Sequence, residues 1–143
     1  MPFTPRRILL ATDNARGHCS AVVPRLRSML ESRAFLVDLF EIGGEIPDLA
    51  DYHGVVVGTP VTGFRGRGPS DEVEKFIAAA EGLDEKKAGI FSVYEVMPGR
   101  ALERMKNLLY EKGCEVVVEH AYWRLRPHDG EQIVPAECMV RIR

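Results

Sequence analysis

Short, unbroken apolar runs alternate along this chain with stretches in which apolar residues recur every three or four positions. Ile8, Leu9, Leu10 and Ala11 form the first run, within Arg7–Thr12. A run without polar alternation predicts a strand covered on both faces. Phe35–Phe40, interrupted by Asp38, predicts a second strand, and Gly54–Gly58 a third. Lys87–Val93 and Cys114–Tyr122 predict a fourth and a fifth. Between the first two runs, Val22, Leu26, Met29 and Leu30 form one stripe of a helix over Gly17–Arg33. Pro24 lies inside that pattern, so the helix is either kinked there or becomes regular only near Pro24. Ser70 is a good N-cap and is followed by Asp71 and Glu72, which suit the positive end of a helix dipole. Val73, Phe76, Ile77 and Ala80 are the buried stripe of that second helix. The third, Gly99–Lys112, turns Leu102, Met105, Leu108 and Leu109 inward and closes on Gly113 at the C′ position. Gly43, Gly44 and Pro47 mark a loop, and Ile46–Tyr52 is at most a helical turn.

Strands alternating with helices imply right-handed crossovers and a parallel sheet with helices on both faces. In such a sheet, ligands sit beyond the carboxyl ends of the strands, where the winding reverses. Residues 54–70 are the most informative segment in this respect. The third apolar run opens into a long loop carrying glycines, Phe64, Arg65 and Arg67 before the helix at Ser70. A long Gly-rich loop at a strand end reads as a binding loop. Arg65 and Arg67 either contact an anionic ligand or redox partner or are simply solvated.

The chain has 143 residues, which is the size of one domain with a core that needs no staples. A formal charge of −2 gives no global argument for nucleic acid or an anionic membrane. Cys19, Cys114 and Cys138 are odd in number and scattered, which fits a reducing interior better than a disulfide framework. No apolar run approaches a spanning helix, and the first residues do not read as a secretory signal, so a cytoplasmic location is expected. His18, His53, His120 and His128 show no metal-ligand spacing with the cysteines. The glycines of the 54–70 loop spell neither a P-loop nor the dinucleotide fingerprint.

The strand-end loops resemble those of flavodoxins, and most of all the flavodoxin-like domain of flavodiiron proteins. In that family the third strand runs into a Gly-(Ser/Thr)-Pro-Thr-Tyr type of loop. Gly58-Thr59-Pro60-Val61-Thr62-Gly63 stands in its place. Phe91-Ser92-Val93-Tyr94-Glu95-Val96-Met97-Pro98-Gly99 is similar to the family's fourth strand and its loop. Residues 101–117 resemble its helix, glycine and final strand. The likeness covers residues 7–122 and is weaker in the first half. It implies a three-layer α/β/α domain over residues 1–143, with five parallel strands in the order 2-1-3-4-5. It also implies flavin mononucleotide (FMN) at the switch point between strands one and three, flavodoxin itself being a standard example of ligand placement at such a point. Trp123–Arg143 is left open. Ile133, Ala136, Met139 and Val140 would suit a short helix, which Pro135 opposes, and Cys138, Val140 and Ile142 a strand.

The same resemblance assigns a cofactor site. The family's phosphate loop is of the type Thr-x-Thr-Gly-Asn-Thr. Matching its glycine to Gly17 gives Asn14-Ala15-Arg16-Gly17-His18-Cys19, so Asn14, Arg16 and Cys19 replace hydroxyl residues. Thr12 and Ser20 flank this loop, and His18 lies in it. The backbone amides and helix dipole would hold a phosphate there. Thr59, Pro60, Val61, Thr62, Gly63 and Phe64 on one side, with Ser92, Tyr94, Glu95 and Gly99 on the other, would bracket the isoalloxazine. Thr62 stands where the family has an aromatic residue. Phe64 is its displaced substitute, and Tyr94 the stacking candidate. Glu95 would disfavour the anionic reduced ring. The implied role is electron transfer to an unidentified redox protein, without bond-making chemistry by the chain. A second reading is a degenerate module without flavin that acts in protein interaction, its open sheet face covered by a second copy in a homodimer.

Two other readings are set aside on residues alone. Cys19 to Arg25 matches the C-x5-R pattern of tyrosine phosphatases, but Val22-Val23-Pro24 adds bulk and removes a donor from a loop built of donors. A response-regulator receiver needs an aspartate at the end of the third strand, where this chain has Thr59 and Pro60.

Overall fold

The computed structural model describes residues 6–13, 19–61, 68–95 and 99–123. The elements run β1 (Arg6–Thr12), α1 (Val23–Glu31), β2 (Phe35–Glu41), a short 3-10 turn (Leu49–Asp51), β3 (Gly54–Val61), α2 (Asp71–Ala79), β4 (Lys87–Tyr94), α3 (Ala101–Glu111) and β5 (Glu115–Trp123). The five strands form one sheet in the order β2-β1-β3-β4-β5, and every neighbouring pair is parallel. This is the topology expected from the alternation of runs and stripes.

Side-chain alternation sorts the strands onto two faces. Leu9, Ala11, Val55, Val57, Ala88 and Ile90 pack with Val73, Phe76 and Ile77 of α2 and Met105 and Leu109 of α3. Ile8, Leu10, Val37, Val56, Phe91 and Val93 pack on the other face with Leu26 and Leu30 of α1. The helix ends follow their local chemistry. The Ser70 hydroxyl accepts from the Val73 amide at 3.3 Å and caps α2. Gly113 has φ +79°, a conformation that favours glycine, and its N–H returns to the Tyr110 carbonyl at 2.9 Å. Lys112 then donates from Nζ to the carbonyls of Ala78 and Ala80, placing a cation on the last turn of α2.

Two boundaries differ by three residues or more from the pattern in the sequence. The first helix begins at Val23, not Gly17, so of the two readings of Pro24 the second holds: the regular part starts there. The third strand runs on to Val61, so Thr59, Pro60 and Val61 are strand and not loop. β1 pairs with β3 only as far as Thr12 opposite Gly58. Beyond that rung β3 has β4 on one side only, and Pro60, which has no N–H to give, falls on the unpaired side. The tight point of the sheet lies at the same rung. A Cβ on Gly58 would overlap the ring of Phe91, its partner on β4.

The outer strands differ. On β2, Leu36 and Leu39 are 51% and 48% exposed. On β5 the ladder shifts register between Ala88 and Gly89, which pair with Val116 and Val118 and leave Val117 as an extra residue. That bulge explains why three consecutive valines are all half-buried instead of alternating.

At the amino end of the sheet, Arg7 bonds Asp38 at 2.9 Å, lies over the Tyr52 ring at 4.8 Å, and the Tyr52 hydroxyl donates to the same Asp38 oxygen at 2.8 Å. This ties β1 and β2 to the chain leading into β3. The Arg7 guanidinium, and after it the Tyr52 hydroxyl, hold the Asp38 carboxyl below the usual carboxylate range. A lowered acid contributes stability above its ordinary range and loses it as pH falls through its folded value. Asp38→Asn is therefore expected to lower stability at neutral and alkaline pH, to change it little at acid pH where the carboxyl is protonated, and so to flatten the acid limb of a stability-against-pH profile measured by urea unfolding. Gly58→Ala should destabilise the fold by about 1–3 kcal/mol through overpacking. Adding Phe91→Leu should recover part of that loss, and an unchanged urea midpoint for the single variant would show that the ring moves freely.

Candidate functional site

The carboxyl ends of the strands form a stepped surface. β1 stops at Thr12, and the Asp13 N–H donates to the Gly58 carbonyl at 3.2 Å as the last contact between the two strands. β3 and β4 continue together through Thr59 opposite Ser92, Pro60 opposite Val93 and Val61 opposite Tyr94. The Glu95 N–H closes this extension on the Val61 carbonyl at 3.3 Å. β5 reaches the same level, with Trp123 opposite Tyr94.

The structure brings Thr12, Cys19, Ser20, Thr59, Pro60, Val61, Ser92, Tyr94, Glu95 and Gly99 to this end or to the connections that leave it. Asn14, Arg16, Gly17, His18, Thr62, Gly63 and Phe64 lie outside the described residues, as do Arg65, Arg67 and the segment 124–143. Several side chains have work other than the one expected of them. Thr59 is fully buried, and its hydroxyl accepts from the Ser70 N–H at 2.9 Å while bonding the Pro60 carbonyl at 3.1 Å. It pins the start of α2 to the end of β3, across the long loop between them. Cys19 is also fully buried, with its thiol 3.6 Å from the Asp13 carbonyl. Burial first, and the charge of Asp13 second, push that thiol up to about 12. It is a neutral packing group at physiological pH, not a polar ligand. Val61 is buried and apolar, and Tyr94 and Glu95 are half-buried at the rim.

Ser92 stands out in this set. It is fully buried, and its Oγ has no hydrogen-bond partner among the described residues. It shares the α2/α3 face with Thr59, its neighbour across the ladder. Leaving a buried hydroxyl unpaired costs about 1–3 kcal/mol, so a group held in this way needs an explanation.

Two residues of this end are not singled out by the sequence pattern. Asp13 is a polar residue only 7% exposed, directly beyond β1. Its position after an unbroken apolar run is the available signal. Trp123 is 37% exposed, and its Nε1 donates to the Glu95 carbonyl at 3.1 Å. The apolar pattern carries the fifth strand only to Tyr122, and nothing local distinguishes that end from the next residue.

A parallel 2-1-3-4-5 sheet with helices on both faces and a stepped carboxyl end defines a flavodoxin-like α/β domain. No family model matches the sequence, and no curated protein sequence matches it either. Solved structures do match. The solution structure of two-electron-reduced flavodoxin from Megasphaera elsdenii aligns with a TM-score of 0.75 and 18% identity, over 92% of this chain and 98% of that one. The Flv1 flavodiiron core of Synechocystis sp. PCC6803 aligns with a TM-score of 0.71 and 12% identity, over 94% of this chain and 36% of that chain. A variant flavodoxin from Fusobacterium nucleatum, bound to flavin mononucleotide, aligns with a TM-score of 0.64 and 12% identity over 79% and 68% of the two chains. The fold is thus that of the flavodoxins.

Two measurements check the side-chain assignments. Cys114 is buried like Cys19, and burial pushes its thiol up to about 11. A Cys138→Ser variant should therefore show no thiol reactive towards an aromatic disulfide reagent at pH 7.5 until urea unfolds it. Trp123→Phe should cost about 1 kcal/mol through the lost bond to Glu95.

Proposed function

We propose that this domain binds a flavin at the carboxyl end of its sheet, FMN by the resemblance of its loops, and serves electron transfer to a redox protein. The observation that carries this reading is the Ser92 hydroxyl, unpartnered among the described residues, beside the step where β3 and β4 outrun β1. A flavin ring offers several nitrogen and oxygen atoms to such a group. The likeness of the whole fold to flavodoxins supports the same reading.

When bound, the flavin supplies a ring that takes up and releases electrons, and the protein governs access and environment. Tyr94 would cover one side of the ring, and Pro60 and Val61 would give it an apolar wall. Trp123 fixes the Glu95 carbonyl, which sets the path of the chain leaving β4. Glu95 would bring negative charge to the ring. Thr59 acts indirectly, by holding the two ends of the long loop.

An alternative reading, a flavin-free interaction module, has one observation in its favour. An apolar groove of about 380 Å3 lies on the other face, lined by Val22, Pro24, Leu26, Met29 and Tyr122 among others. A second copy seated there would give a homodimer. Sedimentation over a dilution series should then show a concentration-dependent dimer, and a strict monomer would remove this reading.

Trp123 is the single tryptophan of the chain and sits at the proposed site, so its fluorescence is a built-in reporter. Adding FMN at micromolar concentration should quench both the tryptophan and the flavin emission. Ser92→Ala should weaken the uptake by about tenfold, the equivalent of one net hydrogen bond. No quenching of either signal would refute flavin binding.

A further inference from the structure

The two outer strands of the sheet, β2 and β5 among the described residues, are unequal as places to add a further strand. β5 carries the register shift at Val117. β2 has no such break, and its seven residues, Phe35 to Glu41, all pair with β1 in continuous register. Natural edge strands are commonly blunted by lysine, proline or a bulge. Phe35–Glu41 contains neither lysine nor proline, and its charged residues are Asp38 and Glu41.

Both faces of β2 present apolar side chains. Phe40 packs on Phe76 of α2 with ring centroids 5.7 Å apart, and Leu36 shares that face by strand alternation. Phe35 and Val37 pack with α1, and Leu39 shares their face. Leu36 and Leu39 are each about half exposed, so each face offers one leucine at the edge. The run Leu36-Val37-Asp38-Leu39-Phe40 is apolar on both sides of Asp38. Laid antiparallel to itself about Asp38, it sets Leu36 opposite Phe40 and Val37 opposite Leu39, twice each. Apolar cross-strand pairs of this kind stabilise sheets.

The charges fit the same arrangement. Arg6 and Arg7 of β1 stand beside Phe35 and Leu36. Pairing about Asp38 puts Glu41 of a second copy opposite Phe35, at the level of Arg6. Asp38 meets its own equivalent, and like charges set opposite each other are unfavourable. Each Asp38, however, is bonded to the half-exposed Arg7 of its own copy at 2.9 Å. A guanidinium carries five N–H donors, and at the axis it faces both carboxylates. Two arginines of each β1 thus answer two acids of the opposing β2.

We propose that β2 is the docking edge for a second copy of this chain, the two β2 strands running antiparallel about a two-fold axis at Asp38 and joining two five-stranded sheets into one. Flavin binding is not required for it. The axis reverses strand direction, so the carboxyl ends of the two sheets point opposite ways and both candidate sites stay open. Seven strand residues span about 23 Å. A single strand edge of that length is small against the roughly 800 Å² per partner of a standard interface, so the dimer is weak and concentration-dependent.

Sedimentation velocity over a dilution series should show a reversible dimer as concentration rises towards about 1 mM. Leu36→Glu and Leu39→Glu, each checked for folding by circular dichroism, should weaken it by about tenfold or more. Met29→Glu, in the groove beside α1, should leave it unchanged. Arg6→Glu should weaken it, and adding Glu41→Arg should restore it. Within one copy Arg6 and Glu41 lie at opposite ends of the β1–β2 ladder, so recovery can come only across the two-fold axis. A monomer throughout the series would overturn the proposal and leave the edge to an extended peptide of another protein. A dimer broken by Met29→Glu and not by Leu36→Glu would overturn it too, by seating the second copy in the α1 groove. Failure of the reciprocal charge pair to recover would overturn the two-fold register, and the proposal with it.

Discussion

The hydrogen bond from the Asp13 N–H to the Gly58 carbonyl is the last rung between β1 and β3, and the upper half of the molecule is organised around it. Below it, β3 is flanked on both sides and its residues are all buried. Above it, β3 and β4 advance as a two-stranded ledge. That ledge brings Ser92, Tyr94 and Glu95 past the end of β1, and it leaves Pro60 on a side where a missing donor costs nothing. The same rung fixes the level of Gly58, where the backbone leaves room for the Phe91 ring. The step is therefore set by how far one strand pairs.

The two ends of the sheet divide their work. At the amino end, the half-exposed Arg7 and Asp38 and the largely buried Tyr52 join three segments, and Lys86 adds a bond from Nζ to the Tyr52 carbonyl at 2.6 Å. Exposed ion pairs of this kind contribute little singly, and their value lies in setting register. At the carboxyl end, the polar groups Thr12, Asp13, Thr59 and Ser92 are buried. Burial makes each of them matter more, because a misplaced partner is not replaced by water.

Much of this is legible in the residues. The parallel order follows from apolar runs too continuous for half-solvated strands, and the helix stripes assign Val73, Phe76, Ile77, Met105 and Leu109 their places. Ser70 and Gly113 act as local signals and keep their roles. What cannot be read depends on contacts between distant segments. Pro60 reads as loop by any local rule and is strand only because β1 ends where it does. Val22 fits a helical stripe, although it belongs to the cap before the helix. The Thr59 hydroxyl reads as a ligand group until the return of the chain to Ser70 takes it. Trp123 gains its place from the register of β5 against β4.

The extra residue at Val117 has a consequence for how copies of this chain meet. Among the described residues β2 and β5 are the outer strands, and an edge strand offers unpaired backbone groups to any neighbour. On β5 the bulge interrupts the even spacing of those groups partway along, next to the ion pair between Lys106 and Glu119 at 2.8 Å. A second sheet aligned on that edge would lose its rungs after the first few residues. Growth of the sheet from copy to copy, the route to insoluble fibrils, is thus obstructed at this side by a single inserted valine.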